Sequence, residues 1–289
     1  MSPDALVLVL AGALAHAGWN YLAKRASGGR AFVSLYSLVS FVFAGPLCLW
    51  FCLTTPEVMS WPLLAITLLS AVIHIFYSLA LQRGYQVGDL TVVYPIARGS
   101  GPLFSVFGAV LVLGERPSLS GWLGIGIILL GVVLIAGGYQ RLTGTSRPGV
   151  ARGMKWGILT GLFIASYTVV DGWSVKTLNV SPLVFYSISL SLRTLLLMPV
   201  ALHDVHGLRE QWRAHWRYIV AVGVLSPLAY TLVLYAMTLA PLSYVAPIRE
   251  LSMMIAALLG AKFLREDDAR IRIAGSALMA IGVVILTLA

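Results

Sequence analysis

The chain has 289 residues, of which 59% are hydrophobic and only 11% are charged, and its formal net charge is +9. This composition excludes a soluble domain with a polar exterior and indicates an integral membrane protein. Ten apolar segments follow one another, most of about 20 residues, the length that an α-helix needs to cross a membrane. They lie near residues 5–23, 32–53, 62–82, 90–113, 119–138, 153–175, 182–202, 217–238, 241–263 and 271–288. We therefore predict an all-α membrane protein with ten transmembrane helices.

The first segment carries polar side chains at helical spacing. Its apolar run resembles a signal peptide. However, the residues before that run include Asp4 and lack the Lys or Arg of a signal peptide, so we interpret the segment as the first span. His16, Asn20 and Lys24 recur every four residues, with Trp19 beside them. We expect Lys24 to snorkel to the membrane surface, whereas His16, Trp19 and Asn20 are candidate substrate-binding residues. A hydrogen bond to another helix is the alternative role for His16.

Further candidates lie in the third and fourth segments. His74 and Tyr77 are three residues apart on one helical face, and Tyr94 lies one turn before Arg98. An arginine at the centre of a membrane helix costs about 2.5–3.5 kcal/mol on insertion scales and is retained where it faces a partner or a water-filled cavity. Pro95 lacks a backbone N–H, so we expect the fourth helix to open near Arg98.

The second half of the chain repeats this combination of buried charge and aromatic rings. The additional candidates are Tyr167, Asp171, Arg193, Tyr230, Arg249 and Glu250. Glu250 has two alternative roles, as the counter-ion in a structural salt bridge or as a residue that couples transport to a proton. Asp171 is the second coupling candidate, with a position at the membrane interface as the alternative. Tyrosines that surround arginines suit a ligand with an apolar body and a carboxylate.

The basic residues of the loops predict an orientation. Of the 20 Lys and Arg residues, three lie within spans, fifteen lie on one face of the predicted topology, and only Arg116 and Lys176 lie on the other. The positive-inside rule makes the face with fifteen cytoplasmic and places both termini outside. Topology therefore explains the positive net charge without a nucleic-acid partner.

The sequence also contains an internal repeat. Residues 113–134 (LGERPSLSGWLGIGIILLGVVL) align with residues 264–285 at an offset of 151, and the same offset places Arg98 on Arg249. The alignment pairs Glu115 with Glu266, Gly124 with Gly275 and Gly131 with Gly282. We predict two five-helix repeats, 1–138 and 153–289, joined by a basic linker at 139–152. Because five is odd, the two repeats enter the membrane in opposite orientations, an arrangement typical of secondary transporters.

The duplication, the 113–134 stretch and AGALAHAGWNYLAKRA at 11–26 resemble the ten-span EamA-type family of the drug/metabolite transporter superfamily. The resemblance implies that four helices of each repeat surround a central cavity and that the fifth packs outside. It implies a secondary transporter, mainly of the efflux type, that is a multi-pass protein of a bacterial inner membrane. Many members of the family keep their termini in the cytoplasm, whereas the basic loops of this chain predict the reverse.

The three interior arginines outnumber the two interior carboxylates, Glu250 and Asp171, so the cavity has a net positive charge. Such a charge favours an anion or a zwitterion with a carboxylate as substrate. We therefore expect export of an amino acid or an amino-acid derivative. The alternatives are a drug or nucleotide-related efflux protein, then a channel or an intramembrane enzyme, although the chain has no metalloprotease, nucleophile-elbow or Walker motif. We expect no cofactor or metal, a small-molecule substrate, contact with membrane lipid, and a monomer or homodimer. Proton coupling is a further hypothesis.

Overall fold

The computed structural model describes residues 1–26, 30–54, 60–87, 90–135, 148–178, 180–255 and 269–289. These residues form helices and connecting turns and contain no β-strand. The helices are α1 (Pro3–Ala26), α2 (Arg30–Thr54), α3 (Trp61–Val87), α4 (Leu90–Val112), α5 (Leu119–Ile135), α6 (Pro148–Thr177), α7 (Pro182–Leu202), α8 (Val205–Leu239), α9 (Leu242–Arg249) and α10 (Ala269–Leu288). The all-helical fold class predicted from the sequence is confirmed for this part of the chain.

Six of the helices described, namely α1, α2, α3, α6, α7 and α8, are long and apolar enough to cross a membrane. Shorter apolar stretches cover Ile96–Val112, Leu119–Ile135 and Ile273–Leu288. Large apolar side chains such as Leu111 and Trp61 are exposed on the outside of the bundle. Such a surface suits lipid, in which each helix satisfies its own backbone hydrogen bonds. The full count of ten spans stays a prediction.

The helices that flank the centre come from both halves of the chain. α1 packs against α8, and α3 packs against α6. α2 packs against both α7 and α8, and α3 also contacts α7. α4 lies along α6, and α1 contacts α9. Each of these contacts has a counterpart with the roles of the two halves exchanged, so the helices that carry the predicted site residues meet at the boundary between the halves.

α5 and α10 pack against each other through glycines. A Cβ atom on Gly131 would lie 2.6 Å from the carbonyl oxygen of Gly275, and one on Gly124 would lie 3.0 Å from that of Gly282. Because Gly124 lies early in α5 and Gly282 late in α10, the two helices run antiparallel. The sequence alignment pairs Gly124 with Gly275 and Gly131 with Gly282. In the structure Gly124 lies against Gly282 and Gly131 against Gly275, so each of the two α5 glycines meets the repeat-equivalent of the other α5 glycine. Only a residue without a side chain permits this close approach.

Several boundaries differ from the sequence prediction. The α4 backbone is helical at position 95, so the predicted opening of this helix at Pro95 is wrong. The break occurs instead after α9, where Glu250 adopts a turn before helical backbone resumes at 251–255. α8 begins at Val205, twelve residues before the predicted span, and has a kink at His215 (φ −136°, ψ 20°). Residues 148–152 of the predicted linker are the first turn of α6, while 136–147 and 256–268, which include Glu266, lie outside the described residues.

Candidate functional site

Two of the predicted arginines meet around one carboxylate at the centre of the bundle. Arg98 Nη1 lies 3.6 Å from Glu250 Oε2, and Arg249 Nε lies 3.6 Å from Glu250 Oε1. The Glu250 side chain is 1% exposed, and that of Arg249 is 5% exposed. Removal of two cations and an anion from water is costly unless they neutralise one another, so mutual pairing explains how this cluster is tolerated.

The end of α9 positions this cluster. Pro247 lacks an N–H and therefore leaves the carbonyl of Ser243 without its helical donor. Two residues later α9 ends at Arg249, and the Glu250 N–H donates to the carbonyl of Pro247 over 3.0 Å. The turn places Arg249 and Glu250 next to each other and facing Arg98 of α4. The predicted combination of proline, arginine and glutamate thus produces a break in this helix.

His16 of α1 belongs to the same cluster. Arg98 Nη2 lies 2.9 Å from His16 Nε2, and because a guanidinium only donates, Nε2 must accept and Nδ1 must carry the ring proton. Trp19 Nε1 lies 3.3 Å from that Nδ1, and since both atoms are then donors we assign the contact to edge-on ring packing, with ring centroids 4.9 Å apart. The interhelical hydrogen bond considered for His16 is therefore present, with Arg98 as its donor. Asn20 donates from Nδ2 to the backbone carbonyl of His16 over 2.7 Å.

A second polar cluster surrounds Asp171 of α6, whose side chain is fully buried. Tyr230 of α8 donates from its hydroxyl to Asp171 Oδ2 over 2.6 Å. His74 Nε2 of α3 lies 3.9 Å from the same oxygen, and His74 Nδ1 lies 2.9 Å from the carbonyl oxygen of Ser70. The ring of Tyr167 stacks on His74, with centroids 4.1 Å apart. Asp171 is therefore buried inside the bundle. Its depth in the membrane, central or interfacial, stays a prediction.

Aromatic rings connect the two clusters. Tyr77 packs edge-on against Tyr167 with centroids 5.6 Å apart, and Tyr186 packs against Tyr230 at 5.0 Å. Arg249 is close enough to Tyr167 and Tyr230 to interact with both electrostatically. Tyr77, Tyr167, Tyr186 and Tyr230 are hereafter called the tyrosine cage. Through this cage the arginine cluster and the Asp171 cluster form one continuous interior site.

Arg193 of α7 lies on the Asp171 side of the site. It interacts electrostatically with His74, Asp171 and Tyr36. Tyr36 of α2 was not predicted, although the repeat contained a signal for it: the dipeptide Tyr-Ser at 36–37 recurs at 186–187, an offset of 150. The side chains of Tyr94, Pro95 and Lys24 lie outside the described residues, so only the α4 backbone is assigned at Tyr94.

Glu115 has a structural role that the sequence did not suggest. Its carboxylate accepts hydrogen bonds from the N–H groups of Leu242 (2.7 Å) and Ser243 (2.9 Å) and from Lys176 Nζ (3.1 Å). Pro241 at the start of α9 has no acceptor side chain, so Glu115 caps this helix from another loop. Burial would raise the pKa of Glu115, but these hydrogen bonds and the Lys176 charge outweigh burial and hold the pKa below its ordinary value.

Two cavities adjoin these groups. The larger, about 650 Å³, lies between α2, α3, α6 and α7 and is lined mainly by apolar side chains. It extends from Ser37 and Ser78, which neighbour Tyr36 and Tyr77, towards Arg83, Gln86 and Trp156. The smaller, about 380 Å³, lies at the opposite end of the bundle, against Glu115 and Lys176. Among the residues that the structure describes, neither lining includes a member of the arginine cluster or of the tyrosine cage, and Ser37 and Ser78 only adjoin Tyr36 and Tyr77 in sequence.

Comparisons with known proteins agree with this architecture. The sequence model described as "EamA-like transporter family" matches residues 4–137 and again residues 151–288. A solved structure titled "Crystal structure of protein" superimposes with a TM-score of 0.78 at 16% sequence identity, and the match covers 100% of this chain and 98% of that one. That similarity establishes a common fold. The curated protein sequences gave no match.

Two copies of one family model cover nearly the whole chain, and they fall on its two sets of helices. The long apolar helices and the interior charged site agree with a protein that moves small molecules through a membrane. The chain belongs to the EamA-like transporter family, within the drug/metabolite transporter superfamily, and is a multi-pass membrane protein.

Proposed function

We propose that the protein is a secondary active transporter that exports a small carboxylate-bearing or zwitterionic metabolite, such as an amino acid or an amino-acid derivative. The observation that carries this proposal is the position of Glu250 between Arg98 and Arg249. An internal carboxylate there marks the place that the carboxylate of a substrate would take. Family membership supports small-molecule transport, and the arginine pair supports the choice of substrate class.

The arginine cluster has unused hydrogen-bonding capacity. At 3.6 Å the contacts of Glu250 with both guanidinium groups are ion pairs without direct hydrogen bonds. Among the described residues, Arg249 Nε and Nη2 have no hydrogen-bond acceptor, and Glu250 Oε2 has no donor. A substrate carboxylate that approaches the fork of Arg249 would satisfy both donors at once. Arg249 therefore favours a planar anion over a neutral solute.

The surroundings of the cluster favour a substrate with an apolar body. The rings of the tyrosine cage lie beside the arginines, and the 650 Å³ cavity, whose wall contains Ser78 one residue from Tyr77, is lined mainly by apolar side chains. Its volume falls in the range of about 300–1,000 Å³ typical of small-molecule pockets. An amino acid with an apolar side chain would place its carboxylate at Arg249 and its side chain against the rings.

Transport by alternating access requires two halves that move against each other about a shared site. The antiparallel crossing of the repeat-equivalent helices α5 and α10 supports an inverted relation between the halves. The Glu115 contact supports it as well, because a loop of the first half meets the start of α9 in the second. We infer that the two halves are inverted repeats and that the site between them opens to each side in turn.

Counterflow in proteoliposomes tests this function. Purified protein is reconstituted with a panel of unlabelled amino acids and amino-acid derivatives inside the vesicles, and entry of the same labelled compound is measured. We expect saturable exchange for at least one compound with a carboxylate. Entry that rises linearly with concentration would indicate a channel, and chemical conversion of the label would indicate an enzyme. Exchange confined to compounds without a carboxylate would contradict the proposed substrate class.

A further inference from the structure

We propose that His74 and Asp171 form a binding site for a single proton, distinct from the arginine cluster that binds the substrate carboxylate. The use of this proton in coupling rests on the proposed transport function, whereas the site itself follows from the contacts of the two side chains. Tyr230 completes the site as a hydrogen-bond donor to Asp171. Asp171 and Glu250 were both coupling candidates, and the geometry favours Asp171.

The hydrogen bond of His74 to the backbone fixes its tautomer. His74 Nδ1 lies 2.9 Å from the carbonyl oxygen of Ser70, and because a carbonyl only accepts, Nδ1 must carry a proton. In a neutral imidazole the lone pair then resides on Nε2, which faces Asp171 Oδ2 at 3.9 Å. A lone pair facing a carboxylate is unfavourable. One proton, on Nε2 or on Oδ2, removes the conflict and turns the contact into an attraction.

Asp171 itself has few partners for a buried anion, namely the hydroxyl groups of Tyr230 and Ser70. Its side chain is fully buried, and in the part of the chain that the structure describes Oδ1 has no hydrogen-bond partner. A carboxylate that is desolvated and so sparsely hydrogen-bonded is stable when it holds or shares a proton. Glu250 differs, because two guanidinium groups already neutralise it. A proton therefore gains more at Asp171 than at Glu250.

The site is surrounded by groups from every helix packed against α6. The titratable and charged groups that face Asp171 or its neighbour Tyr167 are His74 and Tyr77 of α3, Arg98 of α4, Tyr186 and Arg193 of α7, Tyr230 of α8, and Arg249 with Glu250 at the end of α9. Arg193 and Arg249 act on Asp171 directly. They are the two cations that stabilise the negative charge when the proton leaves.

Arg249 links the proton to the substrate. When the His74–Asp171 pair releases its proton, the new negative charge at Asp171 attracts Arg249 and weakens the positive field that a substrate carboxylate experiences. When the pair is protonated, Arg249 is available to the substrate. Binding effects of this kind are reciprocal, so a bound carboxylate in turn favours binding of the proton. The two would then leave the cell together, driven by the outward gradient of the substrate. The pair therefore makes substrate affinity sensitive to pH.

Infrared difference spectroscopy between acidic and alkaline buffer tests the proton site without any substrate. The sample is the protein in lipid vesicles. The readout is the loss of carboxylic-acid bands with the gain of carboxylate bands, or the loss of imidazolium bands with the gain of neutral-imidazole bands. We expect one such titration in the wild type, from a buried group that exchanges its proton only slowly with solvent. Asp171→Asn should abolish it, because the carboxyl is gone, whereas His74→Gln should keep the titration and move its midpoint, because the Nε2 lone pair that shares the proton is gone. Glu250→Gln, which removes the second carboxylate that is buried in the described part of the chain, should retain it.

Tyr230→Phe provides a second variant that keeps both titrating groups. It removes the 2.6 Å hydrogen bond to Oδ2, so the titration should remain and its midpoint should move. The proposal is overturned if the feature survives in Asp171→Asn, if His74→Gln or Tyr230→Phe leaves its midpoint unchanged, or if Glu250→Gln removes it. No substrate enters these measurements, so a failed screen for transported carboxylates has no influence on their outcome.

Discussion

At the residue scale, Arg98 and Arg249 are the side chains whose chemistry defines the site. Lysine keeps the positive charge but loses the planar, two-pronged donor that fits a carboxylate. We expect Arg98→Lys and Arg249→Lys each to weaken apparent substrate affinity about tenfold, equivalent to about 1.4 kcal/mol, with little change in maximal rate. The measurement is concentration-dependent counterflow at equal amounts of reconstituted protein.

Arg213→Lys is the matched control for these variants. Arg213 is exposed in the first part of α8, outside the site, so its replacement should leave both affinity and rate unchanged. Loss of folded protein in the Arg98 or Arg249 variants, with normal affinity in the fraction that folds, would instead indicate a purely structural ion pair.

Glu115 is the residue on which the start of α9 depends. Because its pKa is held below the ordinary value, it contributes stability above the pKa of the unfolded chain, and that contribution is lost as the pH falls through the lowered pKa. We expect Glu115→Gln to lower the free energy of unfolding by about 1–2 kcal/mol at neutral pH, as loss of charge-assisted hydrogen bonds does. The difference from the wild type should disappear in acid.

Thermal unfolding of both proteins in detergent at neutral and acidic pH measures this effect. Glu210→Gln serves as control, because Glu210 is 71% exposed and pairs only with His206 on the surface. Its effect should be small at both pH values. An equal loss of stability in the Glu115 and Glu210 variants would contradict the capping role of Glu115.

The residue types of the site were largely predictable, because a charge in an apolar segment is visible without any structure. Arg98, Arg249, Asp171 and His74 were found in this way. The role of Glu115 was not predictable, because it depends on which loops meet at one end of the bundle. Tyr36 was missed because a lone tyrosine in an apolar segment has no distinctive pattern until its repeat partner Tyr186 is known to face the same site.

At the element scale, the crossing of α5 and α10 determines how closely the outer helices approach. We expect Gly131→Ala to destabilise the protein by about 1–3 kcal/mol, because the new Cβ would lie 2.6 Å from both the carbonyl oxygen of Gly275 and a side-chain carbon of Met279. Gly126→Ala on the same helix meets no atom within 4 Å and should be neutral or slightly stabilising.

The comparison of these two alanine variants needs only a thermal unfolding midpoint for each. Similar midpoints for Gly131→Ala and Gly126→Ala would show that the two helices do not pack as closely as described.

Helix existence was easier to predict than helix continuity. The apolar length of each segment correctly indicated a helix, but proline alone did not determine where a helix breaks. The backbone of α4 continues past Pro95, whereas α9 ends two residues after Pro247. A proline removes one hydrogen bond in both cases, so the contacts around each helix in the fold must decide whether it ends there. Those contacts cannot be read from one sequence.

At the scale of the whole molecule, both termini lie at the same end. The Met1 amino group lies 3.3 Å from the carbonyl oxygen of Thr287, and the antiparallel pairing of α5 with α10 brings this end to the side of Glu115 and Lys176. That end carries few basic residues. The positive-inside rule therefore predicts that this end lies outside the cytoplasm, that a C-terminal alkaline phosphatase fusion is active and that a fluorescent-protein fusion is dark.

Both fusions are compared at equal expression in the same host, with a fusion at the other end of the bundle, in the loop between α7 and α8, as the internal reference. The reverse pattern of activity would overturn the orientation and would leave the fold and the site unchanged.

The central claim is that Arg98 and Arg249 exchange Glu250 for the carboxylate of a substrate. The most direct test compares a transported amino acid with its carboxamide, which has nearly the same shape but no negative charge, as competitors in wild-type proteoliposomes. We predict that the acid competes at least about tenfold better than the amide, and that this preference is lost in Arg249→Lys, whose ammonium cannot form the paired hydrogen bonds. Equal competition by acid and amide in the wild type would contradict the account.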